Sequence, residues 1–287
     1  MEIMIHNTLL SVLFPLALVL IAHNLANWRL GSACKTAAFD SVWCTPAFII
    51  RRIGLYAAFI LGGLALSQNL AEQHDALGSW GAMLGTGPFM EVILGVVSLF
   101  AFVFTALRSV DILILSGVKN DDAVIKNNVA VGIVEGGILL STGFVAFGSL
   151  LGEGHILSSW VFFLLGQLVF ILFSYMLEYV IHPSHSAKSE IEKGDIPSGI
   201  IVAVMLVCVS LFVKNGIAGD FASYAKDIPY FFKVFGIQIA FFMGYIMFIE
   251  PLLLKVFRLS PVSIGGAAMR AVLQLGVAVT IVANVSL

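Results

Sequence analysis

The chain alternates between long apolar stretches and short polar loops. A helix needs about 20 mostly apolar residues to cross the hydrocarbon core of a bilayer. Eight stretches meet this requirement, near residues 7–27, 48–69, 89–116, 128–151, 157–181, 197–214, 229–254 and 263–285. The pattern therefore predicts an all-α integral membrane protein with about eight transmembrane helices.

Composition supports this fold class and narrows the classes of function. Hydrophobic residues make up 60% of the chain, charged residues make up 11%, and the mean hydropathy is +1.02. The net charge is −2 and the sequence has no run of like charges, so nucleic acid is not an expected partner. The sequence contains no nucleophile elbow, phosphate-binding glycine loop or metalloprotease signature. We therefore expect no enzyme activity, no cofactor and no metal site.

Lysine and arginine residues predict the orientation of the chain. Most of them fall on one set of alternating sides of the spans, which we call the basic side, and the exceptions are Lys214, Lys226 and Lys233. The remaining basic residue, Arg270, belongs to neither side because it lies inside the last span. Since basic loops stay in the cytoplasm, we expect a multi-pass protein of the bacterial inner membrane with both termini in the periplasm.

The spans are of two sequence types. The second, fourth, sixth and eighth begin with a small or polar residue and are rich in glycine and alanine, whereas the others are bulkier. Gly166-Gln167 in the fifth span echoes Gly236-Ile237-Gln238 in the seventh. We therefore predict two four-helix membrane repeats, 1–154 and 155–287, each resembling a doubled two-helix hairpin. Because each half has an even number of spans, the repeats are parallel.

The fourth span begins within the stretch "IKNNVAVGIVEGG", which starts at Ile125. A bulky span, a short polar loop and this N-x-A-x-G opening, formed by Asn128, Ala130 and Gly132, resemble the YjfL-like bacterial inner-membrane family (DUF350). The resemblance implies a helical inner-membrane protein made of two tandem copies over the whole chain. It implies no activity and no catalytic residue.

Small residues spaced by four predict where helices pack. Lipid tails are as apolar as leucine, so membrane helices associate mainly through close contact of small residues. Such faces are formed by Gly132 with Gly136, and by Gly54, Ala58 and Gly62. We expect the glycine-rich spans to form an inner layer and the phenylalanine-rich spans to face lipid.

Glu135 shares the small-residue face of the fourth span with Asn128 and Gly132, so it should face protein. When Asn128 is aligned with Ser263 in the last span, Glu135 and Arg270 occupy equivalent positions in the two halves. One unpaired ionised residue at a helix centre costs about 2.5–3.5 kcal/mol in a membrane. We therefore predict an intramembrane ion pair between Glu135 and Arg270 that joins the two halves.

Two functions remain open on this basis. In the first, the glycine-rich helices form a channel or transporter for a small cation or small polar solute. Its pathway or interhelix contacts would be Asn128, Ser141, Gln167, Gln238 and Gln274. In the second, the protein is a scaffold that docks a cytoplasmic protein through the loops 28–47, 117–127 and 182–196, and the ion pair is structural. The lack of large soluble domains favours transport, and the sequence leaves oligomerisation open.

Overall fold

The computed structural model describes residues 2–33, 44–77, 87–109, 120–151, 155–176, 187–217, 221–260 and 262–285. Within these ranges the chain is helical and contains no strand. The helices are α1 (Glu2–Ala33), α2 (Pro46–Leu77), α3 (Gly87–Ser109), α4 (Asn120–Ile125), α5 (Val129–Leu150), α6 (Ile156–Met176), α7 (Ala187–Glu192), α8 (Ile196–Ile217), α9 (Tyr224–Gly244), α10 (Glu250–Val256) and α11 (Ile264–Asn284). A π turn, Tyr245–Ile249, joins α9 to α10. Eight helical segments of this part of the chain are long and apolar enough to cross a membrane, which confirms the predicted fold class.

Four of the long helices, α2, α5, α8 and α11, begin in a similar way. The residues that precede them are Thr45, Asn128, Asp195 and Ser263. In the last three cases the side chain accepts a hydrogen bond from the N–H group three residues on, at 3.2, 3.0 and 3.0 Å. For α2, the side chain of Asn127 accepts from the N–H group of Ala47 at 3.3 Å. These contacts satisfy N–H groups that the first helical turn leaves without partners. We call α2, α5, α8 and α11 the capped helices.

The segments before α5 and α8 have the same local geometry. α4 and α7 are each six residues long and begin 67 residues apart (187 − 120 = 67). The residue before each cap is left-handed: Asn127 has φ 61° and Gly194 has φ 88°. Asparagine and glycine are the residues that adopt this conformation most readily. The left-handed residue lets the chain turn from the short helix into the capped helix.

The capped helices pack side by side in the order α2, α5, α8, α11. Glycine brings the backbones of α2 and α5 into contact. A Cβ atom at Gly132 would lie 2.5 Å from the carbonyl oxygen of Ala47, and one at Gly54 would overlap the carbonyl group of Gly136. Further along the same interface, Gly143 faces Ala58. Of the predicted packing residues, Gly62 alone is placed differently, since it faces a leucine side chain of α3.

The remaining long helices surround this row. α1 packs on α2, α3 packs on α2 and α5, α6 packs on α5 and α8, and α9 packs on α8 and α11. Apolar side chains of α6 are exposed on its outer face, as expected for contact with lipid; these are Leu157, Leu164, Leu168 and Leu172. α11 also exposes one apolar face, with Met269, Val272 and Val279. The inner layer therefore consists of α5 and α8, and α2 and α11 lie at its two ends.

We expect Gly132→Ala to destabilise the protein, because the added methyl group has no room against the backbone of α2. Overpacking of this kind costs about 1–3 kcal/mol, and each kcal/mol lowers Tm by about 2–4 °C in a chain of this size. Gly276→Ala is the matched control, since a Cβ atom there meets nothing within 4 Å. Thermal unfolding of the purified protein should show a lower Tm for Gly132→Ala alone. An equal loss in both variants would contradict this description of the α2–α5 contact.

Candidate functional site

The carboxylate of Glu135 lies within contact of an arginine from the neighbouring helix. Oε2 of Glu135 is 2.9 Å from Nε of Arg51 in α2, and the Glu135 side chain is only 1% exposed. The same guanidinium holds a second carboxylate, because Nη1 of Arg51 is 2.7 Å from Oδ1 of Asp121 in α4. One arginine therefore bridges two acids. We call Arg51, Asp121 and Glu135 the Arg51 triad.

The two acids of the triad differ in their exposure to solvent. The Asp121 side chain is 29% exposed and the Glu135 side chain is 1% exposed, and the Arg51 side chain between them is 10% exposed. Exposure thus falls from Asp121 through Arg51 to Glu135. The triad leads from a short helix beside the N-terminal ends of α2 and α5 into the buried interior of the bundle.

The way the capped helices begin sets the geometry of the triad. Arg51 is six residues after Thr45, and Glu135 is seven residues after Asn128. At 1.5 Å per residue, both side chains are therefore roughly 10 Å from the start of their helices. Because glycine contacts hold α2 and α5 together over this depth, the guanidinium reaches the carboxylate directly.

Arg52 follows the triad arginine and links α2 to α1. Its Nη2 donates to Oδ1 of Asn27 in α1 at 2.9 Å. Its guanidinium carbon lies 4.8 Å from the ring centroid of Phe48, a cation–π arrangement. In the next turn, Tyr56 and His23 form a second polar link between α2 and α1. These contacts fix α1 beside the triad.

A cleft between α1, α2, α3 and α5 reaches Arg51, Arg52 and Asp121. Its volume of about 40 Å³ is room for about three water molecules. The other lining side chains are apolar, and among them are Leu55, Phe59 and Val103. The cleft therefore offers a narrow approach to the partners of Glu135.

A second buried ion pair lies in the C-terminal part of the chain. Oε2 of Glu250 is 2.8 Å from Nη2 of Arg270, and the Glu250 side chain is 1% exposed. Nε2 of Gln274, one turn beyond Arg270 in α11, donates to Oε1 of Glu250 at 2.8 Å. Both carboxylate oxygens of Glu250 are thus engaged.

The predicted Glu135–Arg270 pair is therefore wrong in its partners. α8 packs against both α5 and α11 and lies between them, so the two side chains belong to separate clusters. The sequence argument counted Arg51 as a charge of the basic side and did not weigh it as a partner inside the bundle. Arg51 is at nearly the same distance from the start of its helix as Glu135, and this was the signal that could have identified it.

The other polar residues singled out in the sequence have varied surroundings. Nδ2 of Asn128 donates to the carbonyl groups of Ile191 and Glu192, both at 3.1 Å, and so joins α5 to α7. Nε2 of Gln238 donates to the carbonyl group of Val285 at 3.4 Å. The Ser141 hydroxyl donates to Gly137 of its own helix at 2.7 Å. Gln167 is buried in α6.

The loops proposed to dock a cytoplasmic partner, 28–47, 117–127 and 182–196, lie partly outside the described residues. The described parts include α4, which contributes Asp121 to the triad. One of the three candidate docking segments is thus also part of the buried charge cluster.

Comparison with known proteins identifies a family but no activity. The family model described as Domain of Unknown Function (DUF350) matches residues 83–217 and 154–285. The two matches overlap over 154–217, which is consistent with tandem copies. No curated protein and no solved structure matches the chain.

We expect a double-mutant cycle to show strong coupling between Arg51 and Glu135. Arg51→Gln leaves the buried Glu135 carboxylate without this ion pair, which for a buried pair costs about 3–5 kcal/mol. The double variant Arg51→Gln/Glu135→Gln should recover much of that loss, because no charge is left buried there. Thermal unfolding of the four proteins measures the coupling.

Glu135→Gln combined with Arg270→Gln provides the control, since residues that share no partner have additive effects. Stronger coupling of Glu135 to Arg270 than to Arg51 would contradict the observed pairing.

Proposed function

The chain belongs to the DUF350 family, and from that premise we propose that it transports a small cation, the proton, across a bacterial inner membrane. The family has no assigned activity to transfer, so the proposal depends on the Arg51 triad. Glu135 is the carboxylate that takes up and releases the proton. Arg51 is the counter-charge that Glu135 exchanges for it.

The observation that carries the proposal is that Arg51 bridges two carboxylates of unequal exposure. Leaving one ion of a buried pair alone is strongly unfavourable. When Glu135 is protonated, however, Arg51 remains paired with Asp121 at the more exposed end of the triad. With Glu135 ionised, the triad has one net negative charge, and its second carboxylate, Asp121, is at the more exposed end; with Glu135 protonated, the triad is neutral. Such a carboxylate can bind and release its ion, as transport requires.

The cleft supports the choice of a proton over a larger solute. Its apolar walls provide few groups to replace the hydration shell of a metal ion, which an ion needs at every step of its route. A proton requires only a short file of waters and one acceptor oxygen. The whole cleft, which reaches Arg51 and Asp121 at its polar part, has room for about three waters.

The packing beyond Glu135 favours a transporter over an open channel. Between α5 and α8, a Cβ atom at Gly137 would lie 2.6 Å from that of Ala203. The buried hydroxyls of Ser141 and Thr142 donate to carbonyl groups of their own helix. This part of the bundle is closely packed. Passage of a proton therefore requires a second conformation, in which Glu135 is accessible from the side of the bundle that lies away from α4.

Proton flux into liposomes that contain the purified protein tests the proposal. Under an imposed pH gradient and clamped membrane potential, wild-type protein should transport protons faster than protein-free vesicles. Glu135→Gln should reduce the rate to that of protein-free vesicles, and Asp121→Asn should slow it, because Arg51 then has only Glu135 as an ionised partner in the triad. Asp122→Asn, at the exposed neighbouring position of α4, is the control and should transport normally.

If the folded wild-type protein transports protons no faster than protein-free vesicles do, the transport proposal is wrong and the scaffold function remains. Flux of sodium or potassium ions in place of protons would retain a cation transporter but contradict the choice of ion.

A further inference from the structure

The second buried cluster is built where the seventh membrane span departs from α-helical geometry. The π turn Tyr245–Ile249 ends at Glu250, and Pro251 follows it in the chain. Proline has no N–H group and cannot donate to the preceding turn. π turns within longer helices are frequent at functional sites. The turn places Glu250 opposite Arg270 and Gln274 of α11.

The π turn also releases a backbone acceptor. The N–H group of Glu250 donates to the carbonyl group of Tyr245, five residues earlier. The carbonyl group of Ile246 would receive its hydrogen bond from Glu250 in an α-helix or from Pro251 in a π-helix. The first of these donors is engaged with Tyr245, and the second does not exist. The Ile246 carbonyl therefore has neither helical donor.

Three buried side-chain atoms of the cluster also lack a hydrogen-bond partner among the described residues. They are the hydroxyl of Tyr245, Nε of Arg270 and Oε1 of Gln274. Tyr245 is 5% exposed and Gln274 is 0% exposed. Tyr245 begins the π turn that ends at Glu250. Buried polar groups are nearly always hydrogen-bonded, so several such groups around one carboxylate point to a ligand.

We propose that this cluster binds water inside the membrane. Arg270 and Tyr245 offer an N–H and an O–H group, and Gln274 and Ile246 offer two carbonyl oxygens. A water molecule accepts two hydrogen bonds and donates two, and buried waters bind where several polar groups have no other partner. The paired charges of Glu250 and Arg270 cancel, which disfavours a cation or an anion as the ligand. The inference does not depend on the proposed proton transport.

Hydroxyl-radical footprinting of the full-length protein in lipid nanodiscs tests this proposal. X-ray radiolysis converts bound water to radicals in place, so Tyr245 should be oxidised although its side chain is buried. Phe242, one turn earlier and 0% exposed, is the internal reference. We expect several-fold more oxidation at Tyr245 than at Phe242, measured by mass spectrometry of the peptides. Oxidation of Tyr245 no greater than that of Phe242 would overturn the proposal.

Two glutamine variants test whether the water belongs to this cluster. Gln274→Leu removes one acceptor and should at least halve the oxidation of Tyr245. Gln238→Leu removes another glutamine that is 0% exposed, on α9, and should leave the oxidation unchanged. Equal oxidation of Tyr245 in both variants would mean that Gln274 does not hold the ligand, which also overturns the proposal.

Tyr245→Phe provides a second readout that does not require labelling. A hydroxyl with no partner is unfavourable when buried, so its removal would leave Tm unchanged or raise it. A hydroxyl bonded to bound water contributes to stability, and its removal should lower Tm by about 2–4 °C. An unchanged or raised Tm would contradict the proposed water.

Discussion

An ionised carboxylate buried in a membrane needs a positive charge within contact, and this requirement explains how α2, α4 and α5 are arranged. Glu135 meets it through Arg51, which is possible because α2 and α5 run side by side with their backbones in contact at glycine residues. α4 then adds Asp121 on the other side of the same guanidinium. The ion pair, and with it the Arg51 triad, therefore depends on the close contact between α2 and α5.

The capped helices begin in a similar way but have different side chains at equivalent positions. The residues that precede them are Thr45, Asn128, Asp195 and Ser263, and seven positions further on lie Arg52, Glu135, Val202 and Arg270. The first, second and fourth of these carry charge, and the third, in α8, is apolar. α8 therefore separates the two charged clusters, and each cluster takes its partner from a different neighbouring helix.

The two clusters differ in what they can exchange. In the Arg51 triad, the arginine has a second acid, Asp121, which would still pair with it under the proposed protonation of Glu135. At Glu250, both oxygens are engaged, by Arg270 and by Gln274. The first arrangement suits a group that gains and loses an ion. The second suits a fixed pair with polar groups around it, at the π turn before Pro251.

Much of the fold could be predicted from the sequence, because span length, hydropathy and small-residue spacing are local properties of each helix. Gly54, Gly132 and Gly136 were predicted as packing residues, and all three lie at the α2–α5 contact. The position of Glu135 facing protein also followed from helical periodicity, and its side chain is buried.

The partners of the charges could not be predicted in the same way. Which helices are neighbours depends on the packing of the whole bundle, and periodicity carries no information about it. Arg51 and Glu250 lie near the ends of their predicted spans, where the nearby water boundary gives no reason to expect a buried partner. In the structure both are buried.

The most direct test of the central claim is to observe the protonation of Glu135 itself. Infrared difference spectroscopy of the protein in lipid, recorded while the pH is lowered, detects the C=O stretch of a protonated carboxyl group. If Glu135 exchanges Arg51 for a proton, a carboxylic acid band should develop in wild-type protein and be absent from Glu135→Gln, while the protein stays folded. A Glu135 that remains ionised at every pH at which the protein is folded would contradict the exchange, because the ion pair with Arg51 would then be permanent.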